Sequence, residues 1–89
     1  MDKIVIFTLD GCYHCSSLKK RLDEINISYK EVEVTQNKEV WDEIVKLTNY
    51  DFLPTILVSP DNSETGHIYV PSINYKTEDE IVEIIKNYF

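Results

Sequence analysis

Near its start the chain reads Cys12-Tyr13-His14-Cys15, and these are its only two cysteines. An apolar run, Ile4-Val5-Ile6-Phe7, ends shortly before this stretch. A helix-periodic run begins shortly after it, with Leu18, Leu22 and Ile25 spaced three or four residues apart. A strand, then a tight turn carrying C-x-x-C, then a helix is the context in which this motif indicates a redox dithiol.

The size and charge of the chain limit what the protein can be. Its 89 residues are enough for one domain, covering residues 1–89, with one small core that needs no metal or disulfide staple. Sixteen acidic residues against nine basic ones give a formal charge of -7. Because nucleic acids and anionic membranes are bound by basic patches, we expect neither as a partner. We expect a monomer.

The start of the sequence shows no targeting pattern. Met1-Asp2-Lys3 leads directly into the first apolar run, which is too short to span a bilayer. The sequence therefore predicts a cytoplasmic protein, in a compartment where thiols are kept reduced. There, a C-x-x-C motif is more often catalytic or metal-binding than structural.

The first half of the chain predicts two strand–helix units. Residues 3–8 predict a strand buried on both faces, and Asp10-Gly11 a turn and helix cap. A helix over 12–25 would turn inward Cys15, Leu18, Leu22 and Ile25. A strand over 29–34 and a helix over 38–47 follow. The apolar side of this second helix would contain Val40, Trp41, Ile44, Val45 and Leu47, with Trp41 as a core anchor.

The second half predicts a hairpin and a last helix. Leu53-Pro54 opens a strand over 55–58, a turn cluster covers 59–66, and residues 68–70 form the return strand. Thr77-Glu78-Asp79-Glu80 is a capping box. The helix after it would turn inward Ile81, Val82, Ile84, Ile85 and Tyr88. The order β-α-β-α-β-β-α predicts an α/β fold with a mixed four-stranded sheet and helices on both faces.

The two cysteines differ in their expected roles. Cys12 falls at the start of the helix, where unpaired N–H groups and the helix dipole favour an anion such as a thiolate. We expect Cys12 to attack a substrate disulfide, and Cys15 to attack the mixed disulfide and release the reduced substrate. Asp10 would oppose the thiolate unless its carboxylate caps the helix.

The residues between the cysteines are candidates for tuning. A cationic His14 would stabilise the thiolate and make the disulfide more oxidising. Tyr13 would give a flat surface around the sulfur. The alternative is that His14 simply points into solvent and that Tyr13 is incidental.

This pattern resembles the glutaredoxins, small members of the thioredoxin fold, over nearly the whole chain. The specific points are Cys12-Tyr13-His14-Cys15 and Leu53-Pro54. The resemblance implies a cis peptide before Pro54, which would lie beside the dithiol, and backbone groups of Leu53 that contact substrate. It implies thiol–disulfide oxidoreductase activity on protein or mixed disulfides, in electron transport and cell redox homeostasis. Glutathione or a thioredoxin reductase would be the electron donor, and no cofactor would be bound.

The chain departs from the usual family pattern at several positions. Glutaredoxins commonly carry Pro-Tyr between the cysteines, and a lysine where this chain has Leu9. A His before the second cysteine is similar to the oxidising members of the wider fold. The family's Gly-Gly and following Asp, which help hold glutathione, have no clear match near Tyr69-Val70-Pro71-Ser72, although Asp79 could supply a carboxylate.

Two other functions fit the same residues. A metal-binding C-x-x-C module would use the cysteines with His14 or His67, although structural zinc normally needs four ligands. A redox sensor or interaction domain would use the same fold without turnover.

Overall fold

The structure, a computed structural model, describes residues 4–59 and 66–88. Seven elements follow one another in the predicted order, which confirms the β-α-β-α-β-β-α pattern. They are β1 (Ile4–Thr8), α1 (Tyr13–Glu24), β2 (Lys30–Glu33), α2 (Lys38–Thr48), β3 (Thr55–Val58), β4 (His67–Tyr69) and α3 (Glu78–Lys86). No helix within the two described ranges is long and apolar enough to cross a bilayer.

The four strands form one mixed sheet in the order β2-β1-β3-β4. Strand β1 runs parallel to β2 and antiparallel to β3, and β3 pairs antiparallel with β4. In this register Ile6 lies between Glu31 on β2 and Ile56 on β3. The predicted crossover and hairpin are therefore both present, although the predicted turn residues 60–65 lie outside the described ranges.

Helices cover both faces of the sheet, as predicted. One face carries the larger core, where side chains of β1 and β3 pack with α1 and α3; its fully buried members include Ile4, Ile6, Leu18, Leu22, Ile56, Ile81 and Ile85. The other face is covered by α2, where Ile44 and Trp41 pack with Phe7 and Val32. The rings of Trp41 and Phe7 lie 5.5 Å apart, so Trp41 anchors this smaller core as predicted. Each fully buried large apolar side chain contributes about 1.5–3 kcal/mol.

Three apolar residues assigned to the core are instead exposed. Helix α1 ends at Glu24, and Ile25, as its C-cap, leaves the helical stripe and is 41% exposed. Asn26 follows in a left-handed conformation and turns the chain. Val40 and Leu47 are 50% and 71% exposed, because they project from one flank of α2 while Trp41 and Ile44 face the sheet.

The last helix is capped as the sequence predicts. The Thr77 hydroxyl oxygen accepts a hydrogen bond from the N–H of Glu80 at 3.1 Å. Ile81, Val82 and Ile85 are buried, and Ile84 and Tyr88 pack at the edge of the same core. The first turn of α3 lies beside the middle of α1, where Glu78 and Asp79 contact Ser17 and Arg21.

Candidate active site

The dithiol lies at the beginning of α1, with Cys12 as its N-cap residue. Cys12 and Cys15 are joined by a disulfide, and their Cα atoms are 5.3 Å apart. The backbone N–H of Cys15 donates a hydrogen bond to Sγ of Cys12 at 3.2 Å. The prediction that Asp10 caps the helix is wrong: the cap is the cysteine sulfur itself, and Asp10 lies two residues earlier in an exposed turn.

The turn before the helix sets the position of Cys12. Gly11 adopts a positive φ of 86°, which glycine reaches without steric strain. The N–H of Cys12 then donates to the carbonyl of Leu9 at 3.0 Å. Strand β1 thus passes into α1 within a few residues, and Cys12 is held at the C-terminal end of a buried strand.

The two sulfurs have different environments, as expected from the helical stripe. Cys15 is 1% exposed and packs on the core side of α1 with Leu18 and Leu22. Cys12 is half-buried, so it is the more accessible of the two. The first turn of α1 contains no acidic residue. The backbone dipoles at this end of the helix therefore act on Cys12 without competition from a carboxylate within that turn.

Tyr13 and His14 are both exposed beside the disulfide. Tyr13 is 77% exposed. Its ring meets the His14 ring edge to face, with centroids 5.5 Å apart. The two rings are thus in contact, and the pair forms one rim of a groove next to the dithiol.

Leu53 and Pro54 form the opposite wall of that groove. The peptide bond between them is cis, as the family resemblance implied. Pro54 is buried and Leu53 is half-buried. The groove has a volume of about 530 Å³, and Tyr13, His14, Leu53 and Pro54 all line it. The structure therefore brings Tyr13, His14, Leu53 and Pro54 together on one surface.

The remaining lining of the groove was not predicted as site residues. It includes Phe52, Ser72, Tyr75, Lys76 and Glu78.

The Glu78 carboxylate accepts a hydrogen bond from the Ser17 hydroxyl at 2.9 Å. Asp79, the carboxylate suggested from sequence, does not line the groove and instead pairs with Arg21 at 2.6 Å. Glu78 and Asp79 are adjacent acidic residues in the first turn of α3, so the sequence does not show which of the two side chains faces the groove.

A second, polar cavity of about 370 Å³ lies on the other side of the dithiol and reaches Cys15. Glu31 on β2 lines it and accepts hydrogen bonds from Lys19 and from the buried Thr8 hydroxyl, each at 2.7 Å. These two donors lower the pKa of Glu31 from its ordinary value of 4.5. The pair with Lys19 joins α1 to β2 in the cavity that reaches Cys15.

A metal site finds no support in the part of the chain that the structure describes. Over residues 4–59 and 66–88, no group of three or more His, Cys, Asp or Glu side chains is arranged to hold an ion.

Comparison with known proteins agrees with this geometry. The glutaredoxin family model matches residues 4–61, which contain the dithiol and the Leu53-Pro54 segment. This chain belongs to the glutaredoxin family. Glutaredoxin 1 of Rickettsia bellii (strain RML369-C) is 34% identical over 86 residues, 97% of this chain and 80% of that protein. The gene 56 protein of Mycobacterium phage L5 is 26% identical over 85 residues, 96% of this chain and 74% of that protein.

Solved structures of glutaredoxins share the fold. Glutaredoxin grx-1 of Archaeoglobus fulgidus matches with a TM-score of 0.62 and 18% identity, covering 97% of this chain and 88% of that one. A buckwheat glutaredoxin–glutathione complex matches with a TM-score of 0.57 and 22% identity, covering 64% of this chain and 55% of that one. With a Cys12–Cys15 disulfide in place, this glutaredoxin has the pair of cysteines that a dithiol thiol–disulfide oxidoreductase needs.

Proposed function

We propose that this glutaredoxin is a dithiol enzyme that reduces disulfides, with Cys12 as nucleophile and Cys15 as resolving thiol. The observation that carries the proposal is the hydrogen bond from the Cys15 N–H to Cys12 Sγ, at the N-cap of α1. In the reduced protein the same N–H and the helix dipole would stabilise a thiolate on the more accessible sulfur. Thiolate is the attacking form in disulfide exchange.

The reaction needs two exchange steps. The Cys12 thiolate attacks one sulfur of the substrate disulfide, a new S–S bond forms to Cys12, and the other substrate sulfur leaves as a thiolate that takes up a proton. Cys15 then loses its proton and attacks Cys12 Sγ, which breaks the mixed disulfide and releases the second substrate thiol. Two electrons pass from the protein to the substrate, and the Cys12–Cys15 disulfide remains to be reduced by a donor.

Glutathione is the donor that the groove favours. Glutathione is a short tripeptide with two carboxylates. The side chains of Lys76 and His14 line the groove together with Leu53 and Pro54. The buckwheat neighbour is a glutathione complex. A thioredoxin reductase is the alternative donor, and the exposed Tyr13 is a contact that a protein partner could use. The cytoplasm, where thiols are kept reduced, is the compartment that suits a reducing role.

The proposed activity is tested with two substrates side by side. Reduction of a mixed disulfide between glutathione and a small thiol, coupled to glutathione reductase, measures the glutathione-dependent reaction. Reduction of insulin disulfides, with dithiothreitol as donor, measures the protein-disulfide reaction. We expect turnover of at least the first substrate. If neither is turned over although Cys12 still reacts with an alkylating reagent, the protein is a sensor or interaction domain and the proposal is wrong.

A further inference from the structure

Tyr75 connects the core of the protein to the wall of the groove. Its side chain is 6% exposed and belongs to the large core between the sheet, α1 and α3. Its hydroxyl donates a hydrogen bond to the backbone carbonyl of Pro54 at 2.6 Å. A short bond between two buried groups fixes the position of both, because neither has water as an alternative partner.

The turn that carries Tyr75 is itself held by several hydrogen bonds. The N–H of Ser72 donates to the Tyr75 carbonyl at 2.7 Å, and the N–H of Asn74 donates to the Val70 carbonyl at 2.8 Å. The Asn74 side-chain oxygen accepts in return from the Val70 N–H, also at 2.8 Å. Ser72 adopts a positive φ of 70° within this turn. The hydroxyl of Tyr75 therefore reaches Pro54 from a well-defined position rather than from a loose loop.

A second hydroxyl holds the other side of the same segment. The side chain of Thr55, 1% exposed, donates to the carbonyl of Phe52 at 2.6 Å. The carbonyls on both sides of Leu53 are thus occupied by buried hydroxyls. Leu53 itself makes no backbone hydrogen bond to any residue in the described ranges. With no partner among the described residues, its N–H and carbonyl can pair with an extended substrate segment in the groove.

We propose that Tyr75 is a positioning residue for substrate. Through its hydrogen bond to the Pro54 carbonyl, Tyr75 fixes the position of the Leu53 backbone in the groove. This inference rests on the proposed function. It adds a residue that belongs neither to the dithiol nor to the motifs on which the family resemblance is based. Burial and the nearby Glu78 carboxylate raise the pKa of Tyr75, so its hydroxyl stays protonated and remains a donor at any pH where the enzyme works. Tyr75 does not touch the reacting sulfurs, so the effect should fall on substrate binding rather than on the exchange step.

The test is the variant Tyr75→Phe, which keeps the buried ring and removes only the hydroxyl. Steady-state kinetics with the mixed glutathione disulfide should show a rise in KM of about five- to tenfold, with kcat within about twofold of the parent. The rate of Cys12 alkylation by iodoacetamide should be unchanged, because the start of α1 is untouched. The matched control is Tyr88→Phe, which removes a hydroxyl from the 2.6 Å Tyr69–Tyr88 pair at the far end of α3 and should leave KM unchanged.

A second variant covers the case in which Tyr75→Phe does not fold. Asn74 is exposed and does not line the groove, so Asn74→Ala loosens the turn that presents Tyr75 without opening the core. It should raise KM in the same direction by a smaller factor.

The possible outcomes separate the two claims. A KM effect in Tyr75→Phe, absent from Tyr88→Phe, supports the positioning role. A parent that turns over substrate while Tyr75→Phe keeps the parental KM overturns the positioning role and leaves the proposed function intact. An equal KM effect in both tyrosine variants also overturns it, since the change would then be a general loss of packing. A parent that turns over neither substrate removes the proposed function and the inference with it.

Discussion

The backbone nitrogen of Cys15 lies 3.2 Å from Sγ of Cys12, and its N–H donates a hydrogen bond to that sulfur. Cys12 is the N-cap residue of α1, and the side chain of an N-cap residue accepts a hydrogen bond from an N–H in the first turn of the helix. A sulfur in this position receives the hydrogen bond that a serine or aspartate oxygen would otherwise receive. Because two residues separate the cysteines, the Cys15 sulfur can bond to the Cys12 sulfur, and the Cys15 N–H can donate a hydrogen bond to it.

The first prediction concerns the division of labour between the cysteines. Cys12→Ser should abolish exchange with both substrates, since no other thiolate is available at the helix start. Cys15→Ser should accumulate mixed disulfides with protein substrates, because Cys12 can still attack but nothing resolves the product. Mass spectrometry of the non-reduced variant detects the adduct. Equal rates of protein-disulfide reduction by Cys15→Ser and the parent would rule out the dithiol mechanism.

The second prediction concerns His14. A cationic imidazole near the dithiol stabilises the thiolate and thereby the reduced protein, so its removal should make the pair more reducing. We expect His14→Gln to lower the reduction potential by on the order of 30 mV, which is a tenfold change in the exchange equilibrium. Equilibration with glutathione buffers of known ratio measures the potential.

The control for His14 is the other described histidine. His67 lies on β4, in a strand at the edge of the sheet, so His67→Gln should leave the potential unchanged. A His14→Gln potential equal to that of the parent would show that the imidazole only faces solvent.

The third prediction tests glutathione as the donor through Lys76. Lys76 lines the groove, and no ion pair involving it is seen among the described residues. Lys76→Glu should raise KM for glutathione about five- to tenfold, because the new carboxylate repels those of the tripeptide. The control Lys46→Glu makes the same charge change on α2, where Lys46 pairs with Glu43 at 3.7 Å. If both variants raise KM equally, the effect is one of net charge and Lys76 does not mark the donor site.

The fourth prediction links Glu31 to the pH dependence of stability. Because hydrogen bonds from Lys19 and Thr8 lower its pKa in the folded protein, the ionised carboxylate stabilises the fold above its ordinary pKa of 4.5. That contribution is lost as the pH falls through the lower, folded pKa. Glu31→Gln should therefore reduce the free energy of unfolding at pH 7 by less than about 1 kcal/mol, since the side chain is 39% exposed.

Urea denaturation at several pH values measures this effect. The difference between Glu31→Gln and the parent should be constant near neutrality and should shrink in acid. Asp42→Asn is the matched control, because Asp42 is exposed on α2 and makes no side-chain hydrogen bond or ion pair with another described residue. A difference that grows as the pH falls would contradict the assigned role of Glu31.

The element order and the dithiol could be predicted from sequence because they depend on local signals. The spacing of apolar residues and the positions of turn residues predict the order β-α-β-α-β-β-α. C-x-x-C at a strand–helix junction predicts a redox dithiol. The prediction of Asp10 as the cap is wrong because aspartate is a common N-cap residue, whereas the cap here is a cysteine. Periodicity places Ile25, Val40 and Leu47 in the core, but it shows neither that α1 ends at Glu24 nor which flank of α2 faces away from the sheet.

The contacts between the groove and the core could not be predicted from sequence. Tyr75 and Pro54 are 21 residues apart, and Tyr75 lies in a loop without periodicity. Its partner is a backbone carbonyl, which every residue has, so no side-chain pattern signals the bond. The sequence also does not predict that Glu78 lines the groove and Asp79 does not, because this depends on how α3 is rotated about its axis against α1.

The proposed disulfide exchange depends most directly on the ionisation of Cys12 in the reduced protein. Titration of the thiolate by its ultraviolet absorbance, with Cys12→Ser as the reference that isolates Cys12, measures this. We predict that Cys12 ionises at a pH at least about one unit below the value of about 8.5 that is usual for cysteine. A Cys12 thiol that titrates at or above that usual value would contradict the account, because the helix start would then give the sulfur no advantage as a nucleophile.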